Sequence, residues 1–86
     1  MKHTTHVKNY AGPHEQLAEE IGDLFYDSLA DFLRLLAAKA DRDSHKDEVR
    51  GRQKLAAELQ ACADHLNQSA LHIDAAWKIC EPHVRK

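Results

Sequence analysis

Between residues 55 and 84 the apolar positions return every seven residues. Leu59, Leu66, Ile73 and Cys80 hold one place in this heptad, Ala56, Ala63, Ala70, Trp77 and Val84 hold another, and Leu55, Cys62, Ser69 and Ala76 flank them. A seven-residue repeat kept up over about four heptads specifies a helix that packs along its whole length against another helix. Alanine alternating with larger side chains brings the axes toward the short end of the ~8–10 Å range for packed helices.

The first half of the chain supplies the second helix. Leu17, Ala18, Ile21, Leu24, Phe25, Leu29, Phe32, Leu35 and Leu36 recur at spacings of three and four, which makes one apolar face. Gly12 and Pro13 precede it, and proline suits a first helical turn, where its missing N–H would have had no partner. Glu15, Glu19 and Glu20 then favour the positive end of the helix dipole. Asp41, Arg42, Asp43 and Ser44 form a polar cluster, and Ser44 followed by Asp47 imitates a capping box.

These signals predict an all-α fold, a long antiparallel helical hairpin. Residues 1–12 form a flexible arm, a first helix spans 13–40, a turn 41–44, a second helix 44–80, and a tail 81–86 follows from Pro82. Phe25 and Phe32 are expected to fill the alanine row, and Gly51 is the weak point of the second helix. A hairpin buries only one seam per helix, whereas Tyr26, Leu33, Leu71 and Ile79 lie outside it. The expected outcome is a homodimer of two hairpins, a four-helix bundle with those four residues in its interface.

At 86 residues the chain is one domain, and a partner subunit compensates for its small core. A net charge of -2 argues against nucleic acid as a partner, because phosphate binding rests on clustered Lys and Arg. Lys46, Arg50 and Lys54 share a face, but Asp43, Asp47 and Glu48 dilute it. No apolar run approaches the ~20 residues that cross a bilayer, and MKHTTHVKNY has no apolar middle, so a cytoplasmic location is expected. Cys62 and Cys80, on one helix, stand about 27 Å apart at 1.5 Å per residue, too far for an intrachain disulfide, and are expected to be reduced and buried.

Two clusters have ligand chemistry. In AEEIGDLFYD, residues 18–27, Glu20, Asp23 and Asp27 border an apolar run. EEIGDLFYD resembles the second half of the motif of MazG-type nucleoside triphosphate pyrophosphohydrolases, where Glu-x-x-Asp on a helix helps bind magnesium. That resemblance implies Glu20 and Asp23 as metal ligands. The family's preceding Glu-Glu-x-x-Glu helix has no counterpart in residues 1–12, which contain no Glu or Asp. On the second helix Glu58, Cys62, His65, Ser69 and His72 fall along one stripe. With a turn at 41–44, Asp23 and Asp27 come level with Glu58 to His65. The metal candidates are therefore Glu20, Asp23, Asp27, Glu58, His65 and His72, although the Glu-x-x-His pair of di-iron bundles is missing.

No nucleophile elbow or phosphate-cradling glycine loop is present, so no catalytic residue is assigned. The reading that follows is a small non-enzymatic helical protein that homo-oligomerises and works as an interaction or regulatory module, touching a copy of itself and another protein. The alternative is a metal-dependent bundle, a nucleotide hydrolase using the acidic face of the first helix. No cofactor beyond a divalent metal is implied.

Overall fold

A computed structural model describes residues 3–84. Three helices carry the chain: α1 (His14–Gly22), α2 (Tyr26–Val49) and α3 (Gln53–Val84). The long antiparallel pair α2 and α3 packs into a hairpin, and no strand occurs among the described residues. None of these helices is long and apolar enough to cross a membrane. Residues 1–2 of the expected arm and 85–86 of the expected tail lie outside the described residues.

The turn lies at residues 50–52, not at 41–44. Arg50 caps α2 with an αR-like backbone, and Gly51 follows at φ +80°, a left-handed conformation that side chains with a Cβ disfavour. The Gly51 N–H donates to Glu48 O at 3.0 Å and the Arg52 N–H to Asp47 O at 2.8 Å, the paired bonds of a Schellman close. Arg52 Nη1 also donates to Asp47 Oδ1 at 3.3 Å, so the side chains lock the corner that the backbone makes.

The polar cluster 41–44 stays helical because Asp41, Asp43 and Ser44 each find a partner that a helical backbone allows. Lys39 pairs with Asp43 at 2.5 Å and His45 with Asp41 at 3.6 Å, both one turn apart. Ser44 faces inward and donates its Oγ hydrogen to Ala56 O at 2.7 Å. A buried hydroxyl that might have stopped a helix instead ties two together.

The core consists of small residues. Ala30, Ala37 and Ser44 on α2 meet Ala56, Ala63 and Ala70 on α3, and all six are buried. Both rows step by seven, and they are mirrored about residue 50, where the chain reverses. Small side chains thus face small side chains, and Phe25 and Phe32 do not fill the alanine row. Phe32 is exposed at the flank, and Phe25 meets Trp77 at the open end with ring centroids 6.0 Å apart.

The predicted first helix is two helices. α1 closes at Gly22, where Asp23 N donates to Glu19 O at 3.0 Å, and Phe25 then takes an extended backbone (φ -51°, ψ 144°) before α2 begins. No atom lies within 4 Å of where a Gly22 Cβ would sit, so this glycine ends a helix and does not permit a close contact. The break lets the Phe25 ring turn back onto Trp77. At the other end α3 continues through Pro82 to Val84, because a proline in the last exposed turn leaves only a carbonyl that water can reach.

Candidate functional site

Moving the turn moves the register. With the helices mirrored about residue 50, Glu58 comes level with Arg42 and His65 with Leu35, while Asp27 lies eight residues further along. Asp27 and His65 are then about 12 Å apart along the axis at 1.5 Å per residue, before their different faces are considered. Glu58, His65 and His72 stand exposed on the outer side of α3. Among the described residues no group of three or more His, Cys, Asp or Glu is placed to hold a metal ion.

The break also divides the acidic stretch. Glu20 is in α1, Asp23 is in the break and Asp27 is in the first turn of α2, so Glu-x-x-Asp does not sit on one helix. Glu20 Oε2 accepts from Tyr10 Oη at 2.6 Å and from Gln16 Nε2 at 3.0 Å, which fixes the N-terminal residues onto α1. The carboxylate beside it pushes the Tyr10 phenol up from 10.0 to about 12. His6 stacks on His14 with centroids 5.4 Å apart, and its Nε2 lies 2.7 Å from Tyr10 O. Asp27 Oδ1 accepts from its neighbour's Ser28 N–H at 2.8 Å, a helix-start role.

Charge and grease are sorted between the two faces of the hairpin. At ~100° per residue, with the small-residue rows as the contact direction, Leu29, Leu33 and Leu36 fall to one side of α2. Leu59, Leu66 and Ile73 fall to that same side of α3. Leu36 and Phe32 are exposed there, and the others are only half-buried. The opposite face carries Arg34, which bonds Asp74 across the helices and lies 3.7 Å from Asp31. Of the four residues expected at an interface, Leu33 belongs to the apolar face, and Tyr26 stands at its open end, 40% exposed. Leu71 and Ile79, 60% and 76% exposed, point to the far side of α3.

The thiols of Cys62 and Cys80 are free, but Cys62 is exposed and Cys80 half-buried, so neither is a core residue. What the periodicity left unseen is a cleft at the open end of the hairpin, walled by Phe25, Tyr26 and Trp77 with Asp23 at its rim. Its signal was present in the mirror about residue 50, which sets Phe25 beside Trp77. Comparisons with protein families, with curated proteins and with solved structures return no match.

Proposed function

We propose that this chain is a non-enzymatic homodimer, two hairpins laid face to face as a four-helix bundle, that serves as an interaction or regulatory module. The supporting observation is that the hairpin is one layer of helices. The Cα envelope measures 52 × 29 × 14 Å, and no large side chain is fully buried among the described residues. Helical domains hide their apolar stripes between two layers, and here the second layer is missing.

Surface area gives the deficit a size. The accessible surface is 6996 Å² for 9.8 kDa, against about 5,200 Å² for a compact monomer of that mass. The excess is about 1,800 Å², and a standard interface removes about 800 Å² from each partner. A radius of gyration of 15.6 Å, against about 12 Å for a compact domain of this length, has the same cause. The face that carries Leu29, Leu33, Leu36, Leu59, Leu66 and Ile73 supplies the apolar part of that contact.

Sedimentation equilibrium at tens of micromolar tests the proposal. The expected mass is twice 9.8 kDa for the native chain and one copy for Leu36→Glu with Leu66→Glu, since two buried carboxylates without partners oppose association. A native chain that stays monomeric at that concentration ends the reading.

A further inference from the structure

Residues 3–25 are the only described residues outside α2, α3 and the turn between them, and the shape of the molecule shows where they lie. The 32 residues of α3 account for about 48 Å at 1.5 Å per residue, nearly the whole 52 Å length of the Cα envelope. Two helices packed ~8–10 Å apart occupy about 13–15 Å of its width, counted between outer Cα atoms. The measured width is 29 Å. The first residues of the chain therefore fold back beside the hairpin and do not project beyond its open end.

The side they take is the outer edge of α2. Asp43, more than halfway along that helix, has its carboxyl held below the usual range by the Lys39 hydrogen bond, and His3 adds to the effect from the start of the chain. Two large residues on this edge differ in exposure. Phe32, toward the apolar face, is 37% exposed, whereas Leu35, toward the charged face, is 69% exposed. The folded-back segment thus lies along the border of the apolar face.

This segment is bonded to itself and not to the hairpin. Glu20 gathers Tyr10 and Gln16, His6 stacks on His14, and the Tyr10 N–H donates to Val7 O at 3.2 Å. Among the described residues no hydrogen bond or ion pair joins residues 3–22 to α2 or α3, and α1 has no buried residue. The large apolar side chains that α1 can set against α2 are Leu17 and Ile21, both half-buried. Phe25 is anchored on Trp77, so the link that can move is Asp23 and Leu24, next to the open space at Gly22. A unit with no buried residue in its helix and no bonds across its boundary opens at the low-energy end of a protein's motions.

We infer that residues 3–22 are an autoinhibitory strap, which covers the Phe32 and Leu36 border of the apolar face and swings out at Asp23 and Leu24 before a second copy can use that border. The competition rests on the homodimer proposed above; the covering of the border does not. Strap and second copy claim the same side chains, so each weakens the binding of the other by the same factor.

The test uses the full chain. Leu17→Asp with Ile21→Asp frees the strap, and circular dichroism checks that α2 and α3 stay helical. Sedimentation equilibrium is expected to show a dimer about tenfold tighter than the native one, because Phe32 adds its area to the interface. In a Phe32→Ala chain the same release is expected to change the dimer constant by about twofold at most, since the contested side chain is gone. A second readout needs no partner: in dilute, monomeric chain the binding of anilinonaphthalene sulfonate, a dye for apolar surface, should rise on release. A released dimer that is no tighter than the native one, or weaker, overturns the inference and leaves the homodimer standing. A native chain that stays monomeric overturns the homodimer and the competition with it; a rise in dye binding then upholds the covering of the border, and no rise overturns that too.

Discussion

Replacing Ala37 by Leu in the centre of α2 should destabilise the hairpin far more than the same replacement on an exposed helix face. Ala37 is 1% exposed and sits in a row where small residues oppose small residues. Leucine adds three carbon atoms at a place with no matching hollow, since the facing row of Ala56, Ala63 and Ala70 is closed against it. Overpacking usually costs ~1–3 kcal/mol through local shifts. Here a local shift does not suffice: α2 must move away from α3, which also loosens Ala30 and strains the Ser44 to Ala56 bond. The cost is therefore placed at the upper end, about 3 kcal/mol. Total stability for 86 residues is on the order of 4–13 kcal/mol, so the loss is a large share of it. Thermal melting followed by helical dichroism, at one fixed protein concentration, should show a fall in Tm of about 12–24 °C at ~4–8 °C per kcal/mol. Ala61→Leu, on the exposed side of α3, serves as the control and should stay within ~0.5 kcal/mol of the native chain. An Ala37→Leu protein that melts with its control would mean that the two helices are not held by a close small-residue seam.

Three further outcomes follow from the same geometry. Gly51→Ala should cost about 1 kcal/mol, because φ +80° is unfavourable to a residue with a Cβ, and Arg42→Pro should cost about 3 kcal/mol or more as a mid-helix proline; urea titration measures both, and a tolerated Arg42→Pro would return the turn to residues 41–44. The phenol of Tyr10 should ionise near pH 12 in the native protein and fall back toward 10 in Glu20→Gln; ultraviolet absorbance reads this, and since the folded state holds the proton more tightly, the bond's contribution is complete below pH 10 and lost as pH rises through about 12. A double-mutant cycle on Arg34→Ala and Asp74→Ala should return a coupling of about 0.5 kcal/mol, small because both side chains are more than a third exposed, and a coupling of zero would leave the Arg34 to Asp74 bond without stabilising effect.

The helical class, the hairpin and the alanine row on α3 could be read from heptad spacing alone, because a core-facing stripe must repeat with the helix. The turn could not be read from polarity. Asp41, Arg42, Asp43 and Ser44 look like a loop only while their partners are unknown; one helical turn away are Lys39 and His45, and across the seam is the Ala56 carbonyl. The stronger evidence was conformational, a lone glycine between two rows of small residues spaced alike on either side of it. The break after Gly22 had a weaker signal, since Leu24 and Phe25 keep the apolar rhythm in sequence while the backbone departs from the helix. Only the long-range contact of Phe25 with Trp77 reveals why that departure is stable.

Placement of this one turn separates two functional readings of the same residues. A turn at 41–44 stacks carboxylates of the first half against His65 and makes a metal site conceivable from spacing. A turn at 50–52 moves every facing pair by many residues, spreads Glu20, Asp23 and Asp27 over two helices and a break, and leaves His65 and His72 in water. The same shift sets alanine against alanine, so the helices approach without using their leucines. Six large apolar side chains spared from the centre of the seam, Leu29, Leu33, Leu36, Leu59, Leu66 and Ile73, turn to one side of the hairpin. A close seam and an uncovered apolar face are thus two results of one register: the smaller the side chains that join α2 to α3, the more large ones remain for another surface to cover.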